Sequence, residues 1–356
     1  MTLQQVSERT GEGGHRIPTS TLVRIEQGRL DPGLKRLRKL LDVYKVPIQV
    51  VSDLLELEEL AVDPPVGKDL EALYRDGIEH WRAGDIPQGL AHFLALKEAT
   101  GEDSASRSHR HKALLGFAIA ARSLGKFVLA RQLLDELLCD HPERALLVRG
   151  LTLASSVWRG LGSIDVAMAL VDRAAHLLDA TSKPDTAWVL HQRAKLLFEL
   201  GEVDKAEQAL GLALDAYRES KDTYGETRGR ILRILIVEAR EGIERALDEA
   251  EKVHRLAETH GHQRLVISAR LEQGRLLVKA DRAEDGLKAL ANGLGQAVLL
   301  GDRSAEFLAH YHLWKAHEQL GQKQRARIAL ESAMHFVQGL DDSSTEADEI
   351  RRLMEG

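Results

Sequence analysis

The chain has 356 residues, enough for two or three domains. Its 44% hydrophobic and 29% charged residues are those of a folded, water-facing protein, and a net charge of −6 excludes a wholly basic nucleic-acid coat while allowing a local basic patch. The single cysteine, Cys139, excludes an internal disulfide framework; with no apolar run long enough for a bilayer and no secretory leader, this points to the cytoplasm and to no membrane contact.

Taken in chain order, "TLQQVSERTG" (2–11) predicts an amphipathic helix with Leu3 and Val6 on one side, closed by Gly11. After "EGGHRIP", the stretch "TSTLVRIEQGRLDP" (19–32) predicts a short helix with Leu22 and Ile25 inward and Thr19, Ser20 and Arg24 outward. A third helix begins after Pro32, with Leu34, Leu37, Leu40, Leu41 and Tyr44 as its expected buried stripe. "IQVVSDLLELEELA" adds a fourth. Residues 15–45 carry Arg16, Arg24, Arg29, Lys35, Arg36, Arg38, Lys39 and Lys45 against Glu26, Asp31 and Asp42, a local excess of five positive charges.

"AVDPPVGKD" (61–69) interrupts the helices. Pro65 forces Pro64 out of the helical region, so a helix cannot pass through. The expected organisation is an N-terminal domain at 1–60, a proline-containing linker at 61–69, a repeat region at 70–338 and a tail at 339–356.

Beyond the linker the chain repeats. Helix breaks at Gly84, Gly125, Gly162, Gly201, Glu241, Asp281 and Gly321 are spaced by 41, 37, 39, 40, 40 and 40 residues. Five residues after each break comes a small residue: Gly89, Ala130, Ala167, Ala206, Ala246, Gly286 and Ala326. Nine and twelve residues after each break the chain is apolar or glycine. This pattern predicts seven antiparallel helix pairs. The small residue lets the second helix approach the first, and the apolar stripe packs on the neighbouring pair. The tail "DDSSTEADEIRRLMEG" predicts a frayed helix.

The repeat resembles the tetratricopeptide repeat, with a period near 40 residues instead of about 34. The N-terminal residues Thr2-Leu3, Val6-Ser7, Thr10-Gly11, Ser20-Thr21-Leu22, Arg24-Ile25-Glu26, Gly28 and Pro32 resemble the Cro/C1-type (XRE-type) helix-turn-helix. That resemblance implies that Thr19, Ser20 and Arg24 meet base edges in the major groove of double-stranded DNA, where arginine can fork onto guanine. It also implies that Arg16, Arg29, Lys35 and Arg36 bind phosphates. The sequence departs from the family in having Leu3 in place of a helix-opening Gln, in the extra residues "EGGHR" in the turn, and in Pro18 at the cap position. The family's first helix has no counterpart ahead of Thr2.

Carried along the repeat, the register assigns the first helix of each pair to the concave face of a right-handed solenoid. The candidate ligand residues there are Trp81, Arg82, Lys112, Arg122, Arg149, Arg159, Trp188, His191, Lys195, Arg228, Arg275, Tyr311 and Lys315. Ten basic and four acidic residues fall on this face, which suits an acidic or carboxylate-bearing peptide. The whole resembles XRE-type regulators with tetratricopeptide repeats of the peptide-responsive, quorum-sensing Rgg/PlcR/PrgX kind. This implies an all-α fold, a regulator of transcription, a homodimer, and a peptide or protein ligand in the solenoid. Those receptors hold peptide backbones with asparagines; the single one here, Asn292, falls on a second helix. A repeat scaffold that binds proteins, with a degenerate N-terminal domain that does not bind DNA, is the alternative.

No enzyme, cofactor or metal reading has residues to support it. "HEQLG" at 317 lacks a second histidine, and no glycine-rich loop ends in Gly-Lys-Ser/Thr. In the pairs His109/His111, His260/His262 and His310/His312, residues two apart on a helix point to opposite sides. Cys139 reads as a buried or inert thiol.

Overall fold

The structure is a computed structural model that describes residues 1–12, 15–62, 65, 67, 69–100, 106–178, 182–341 and 343–355. It is all-helical, with no strand among the described residues. Contacts divide it into two compact units, Met1–Leu57 and Glu58–Gly356.

The first unit holds α1 (Leu3–Gly11), α2 (Thr19–Glu26), α3 (Gly33–Tyr44) and most of α4 (Ile48–Leu60). Thr2 opens α1 with a reciprocal cap: its hydroxyl accepts from the Gln5 amide, and the Gln5 side chain accepts from the Thr2 amide. Val6, Ile17 and Leu22 form the small core, with Leu3, Leu40 and Val43 packed on it. Gly28 takes a left-handed conformation (φ 65°), and the Arg29 amide bonds back to the Arg24 carbonyl, closing α2. The expected stripe on α3 is only partly buried. Leu41 is inside, whereas Leu34 and Tyr44 are exposed at 79% and 46%. Leu34 falls in the first turn of α3, outside the contact with α1, and Tyr44 is its last residue. Gly11 is the last helical residue of α1, and the cap after it is right-handed. Pro64 of the expected linker lies outside the described residues.

In the second unit the seven predicted pairs are α5 (Leu70–Ala83) with α6 (Ile86–Ala99), α7 (Arg107–Ser123) with α8 (Phe127–Cys139), α9 (Arg144–Gly160) with α10 (Ile164–His176), α11 (Lys183–Glu199) with α12 (Val203–Glu219), α13 (Thr223–Glu241) with α14 (Ile243–Thr259), α15 (Gln263–Lys279) with α16 (Ala283–Leu300), and α17 (Arg303–Gln319) with α18 (Lys323–Val337). The small residues are sealed: Ala130, Ala167, Ala206 and Ala246 have no exposed surface. A Cβ added at Gly286 would lie 3.0 Å from the Gly274 carbonyl and 2.7 Å from a Val278 methyl, so the second helix runs against the backbone of the first. At the fifth break the left-handed residue is Gly242, one later than expected, because α13 continues through Glu241.

Polar contacts one repeat apart bind successive first helices. Arg149 pairs with Asp185 at 2.8 Å, Arg159 with Glu199 at 2.8 Å, and Arg264 with Asp302 at 2.9 Å. Other contacts cross the superhelix. Arg82 of the first pair reaches Asp222, the N-cap of α13, at 3.3 Å. Arg264 of the sixth pair donates to the Ser123 carbonyl of the second at 3.3 Å. The Asp341 amide donates to the Gly125 carbonyl at 3.0 Å, and the Ser343 amide to the Gly160 carbonyl at 2.8 Å. The solenoid is therefore wound tightly enough for early repeats to touch late ones.

The tail forms α19 (Thr345–Glu355), which is docked rather than frayed. Ala347 and Ile350 have no exposed surface and extend the last core cluster.

Candidate DNA-reading helix and concave face of the solenoid

The turn between α1 and α2 is stitched by side chains. Ser7 donates to the Ile17 carbonyl at 2.7 Å, Thr10 accepts from the Ile17 amide at 3.0 Å, and Arg16 Nε donates to the Ser7 hydroxyl at 2.9 Å. Lys39 donates to the His15 carbonyl at 2.7 Å. The bonds from Ser7 and Thr10 satisfy the buried carbonyl and amide of Ile17. They fix α2 although Pro18 gives it no side-chain cap and Thr19 supplies none.

Thr19, Ser20 and Arg24 are all exposed. Ser20 and Arg24 lie four residues apart and so share one face of α2, while Leu22 is buried opposite. Arg29, Lys35 and Arg36 are exposed too, and among the described residues none of these three nor Arg24 makes an ion pair. Arg16 is exposed, but its Nε is held by Ser7. An exposed, unpaired set of arginine, lysine and hydroxyl groups around a short fixed helix can donate to base edges and phosphates.

Residues 1–51 match the family model described as helix-turn-helix. The N-terminal unit is an XRE-type helix-turn-helix domain. The solenoid has the fold of three solved structures of low sequence identity. A Rap protein complexed with Competence and Sporulation Factor superposes with a TM-score of 0.63 at 11% identity, covering 80% of this chain and 81% of that one. NprR in complex with its cognate peptide NprX gives 0.57 at 12%, covering 82% and 84%. The apo form of RapI gives 0.51 at 13%, covering 81% and 99%. No curated protein matches the chain. The chain therefore joins an N-terminal helix-turn-helix domain to a tetratricopeptide-like solenoid.

Most of the basic residues expected to line the solenoid's concave face are neutralised. Arg82 is held by Asp222, Lys112 by Glu71, Arg149 by Asp185 and Arg159 by Glu199. Arg275 is clamped by Glu238 and Glu272. Lys315 and Tyr311 both bond to Glu349, at 2.6 Å each, so α19 covers that end of the face. Asp185, Asp222, Glu272 and Glu349 are off the repeat register, so the excess charge on this face is smaller than the sequence count implied.

The candidate ring systems are buried or half-buried. Trp81 is buried, donates from Nε1 to the Ser123 hydroxyl at 2.9 Å, and packs on Tyr224 at 5.6 Å. Trp188 is half-buried. His191 is buried beside Tyr217, 3.4 Å from its hydroxyl. Burial first, then the charges of Arg228 and Lys195, push His191 well below the usual histidine range, so it is neutral at pH 7.

Arg122 and Arg228 have no carboxylate partner in hydrogen-bond contact among the described residues, and Lys195 is half-buried on α11. The Arg122 side chain makes no hydrogen bond or ion pair among the described residues, and its Nε is sealed. Arg228 reaches only the Tyr217 hydroxyl, at 3.2 Å, and its Nε is also unsatisfied. Arg264 was not among the sequence candidates, yet it sits in the same electrostatic neighbourhood as Arg122. It lies about three helical turns before Arg275 on α15, and continuing the face of Arg275 toward the start of that helix would have found it.

The histidine pairs differ from expectation at one site. His260 and His262 flank left-handed Gly261 in a turn, and their rings stack at 5.7 Å. Among the described residues no group of three His, Cys, Asp or Glu side chains could hold a metal. Cys139 ends α8 and is exposed, not buried. No helix among the described residues is long and apolar enough to cross a membrane.

Proposed function

We propose that this protein is a sequence-specific DNA-binding regulator of transcription whose solenoid binds a peptide or protein ligand and carries a homodimer interface. The observation that carries the reading is the outward face of α2. Thr19, Ser20 and Arg24 stand exposed and uncommitted on a short helix fixed within an XRE-type helix-turn-helix domain. The fold that the solenoid shares with the Rap protein complexed with Competence and Sporulation Factor and with NprR bound to NprX supports the ligand half. In this reading Thr19, Ser20 and Arg24 read bases, and Arg16, Arg29, Lys35 and Arg36 hold phosphates. A two-fold dimer spaces its two recognition helices about 34–36 Å apart on a near-palindromic site. Ligand binding shifts the population between solenoid states with different DNA affinity. The setting is the cytoplasm.

The test is capture of genomic fragments by the purified full chain at about 0.1–0.15 M salt, where non-specific phosphate binding is weakened. Enrichment of a few related sites, lost with Arg24→Ala, supports the regulator. A folded protein that enriches nothing, with and without peptide extract, is instead a repeat scaffold.

A further inference from the structure

Ser7 stands on α1 with no exposed surface, and its hydroxyl has two partners in the turn that leads to α2. Its single hydrogen goes to the Ile17 carbonyl at 2.7 Å. The oxygen then has only acceptor capacity left, and it takes the Nε–H of Arg16 at 2.9 Å. Thr10 steadies the same corner, donating to the Ser7 carbonyl at 2.8 Å and accepting from the Ile17 amide at 3.0 Å. The Arg16 stem lies over the end of α1: a Cβ added at Gly11 would sit 3.4 Å from Arg16 Cβ and 3.7 Å from its Cγ. The guanidinium is thus held at its root. Arg16 as a whole is exposed, and among the described residues its two terminal nitrogens make no hydrogen bond or ion pair. Arg29, Lys35 and Arg36 are exposed too, and among the described residues none of them has an anchor of this kind. A long side chain that must be ordered on binding costs affinity, and one ordered beforehand does not. A guanidinium engaged through Nε still presents its two terminal NH2 groups end-on, which suits phosphate oxygens.

We propose that Ser7 is a positioning residue for DNA binding: it holds Arg16 by Nε, so that the terminal nitrogens meet a backbone phosphate already ordered. This rests on the reading of the N-terminal unit as a DNA-binding domain, and it separates Arg16 from the other three phosphate contacts. Ser7 is sealed and touches no DNA itself. Arg16 sits two residues ahead of Pro18, the residue before α2, so a phosphate held there sets the register of that helix on the duplex.

The experiment titrates the full chain onto a fluorescent duplex of mixed sequence by anisotropy, over a range of salt that starts low, where phosphate contacts hold the protein. Arg16→Lys keeps the charge but has no Nε–H for Ser7 to hold, and it leaves the bond from Ser7 to Ile17 in place. Ser7→Ala removes the anchor from the other side. Each is expected to weaken binding about 2–10-fold, the effect of leaving one long side chain to be ordered. The salt slope stays unchanged in both, because no charge is lost. Arg16→Ala, in contrast, lowers the slope by about 1. The double variant Ser7→Ala/Arg16→Lys is expected to bind no more weakly than either single variant. Thr10→Ala breaks a bond to Ile17 without touching Arg16, so any loss it causes adds in full to that of Arg16→Lys. If the Ser7→Ala loss adds in full as well, Ser7 only supports the turn and the proposal is overturned. Arg16→Lys binding as tightly as wild type also overturns it, and that variant decides alone if Ser7→Ala does not fold. Wild-type protein that binds the duplex no better than these variants leaves the DNA-binding reading standing without the positioning role. Wild-type protein that binds no duplex even at low salt overturns both.

Discussion

Arg264, at the start of α15, is bound on two sides: it pairs with Asp302 at 2.9 Å and donates to the carbonyl of Ser123 at the end of α7. The first contact is between neighbouring repeats and the second crosses the superhelix. Both partners of the ion pair are nearly sealed, at 13% and 8% exposure. Asp302 also caps α17 by accepting from the Ala305 amide at 3.2 Å. One side chain thus joins the repeat-to-repeat ladder to the closure of the solenoid.

Arg264→Met strands the Asp302 carboxylate in a buried site. The expected loss is about 3–5 kcal/mol, the range for breaking one side of a buried pair. Urea unfolding of the full chain, followed by circular dichroism, measures it. The double variant Arg264→Met/Asp302→Leu recovers part of the loss, because no charge is left unpaired. If the single variant is as stable as wild type, Arg264 does not hold the repeats together.

Gly286 and Gly211 are opposite cases of the same residue. A Cβ at Gly286 meets the Gly274 carbonyl at 3.0 Å, whereas one at Gly211, mid-way along α12, meets nothing within 4 Å. Gly286→Ala is expected to destabilise by about 1–3 kcal/mol through overpacking. Gly211→Ala is expected to stabilise by about 0.5–1 kcal/mol through helix propensity. Chemical denaturation of the two variants against wild type gives both signs in one experiment.

Buried histidines set the response to mild acid. Burial, then the nearby Arg275 and Lys279, hold His312 down at about 3, and burial also lowers His191 and His310. Their folded values lie below the unfolded value near 6.5, so the unfolded chain binds more protons as pH falls. Stability is therefore full above about pH 6.5 and declines below it, by up to about 1.4 kcal/mol per pH unit for each histidine that stays neutral when folded. Urea midpoints at pH 7 and pH 5 test this. His312→Phe makes the decline shallower; a slope unchanged by that substitution contradicts the role given to His312.

Lys35 and Arg36 stand exposed on α3 and are assigned to phosphates, not bases. Replacing either by Ala is expected to weaken all DNA sequences about equally and to lower the salt slope by about 1. Anisotropy titrations of a captured duplex and of a scrambled one, over a range of salt, check it. A loss confined to the captured duplex would move these residues to base reading.

The repeat period was legible because it is a backbone requirement. Gly89, Ala130 and Ala246 are small where two helices touch, and that need recurs once per pair. The inward and outward sides of α2 were legible for the same kind of reason, since Leu22 and Arg24 obey helical period. The state of the concave face was not legible. Its cations are cancelled by Asp185, Asp222 and Glu349, whose positions depend on where neighbouring helices begin and on how tightly the superhelix winds. No local pattern encodes a contact such as that between Arg82 and Asp222, which are 140 residues apart. The docking of α19 was missed because its buried residues, Ala347 and Ile350, form too short a stripe to stand out in a charged tail.

The central claim is that α2 reads sequence through Arg24, and one binding titration tests it. The full chain is titrated onto a captured duplex and a scrambled one at about 0.15 M salt, as wild type and as Arg24→Ala. Specific binding is expected to exceed non-specific binding by about 10³-fold or more. Arg24→Ala is expected to lose about 1–3 kcal/mol on the captured duplex and little on the scrambled one. Equal affinity of the wild-type chain for both duplexes, or equal losses on both, would contradict base reading by this helix.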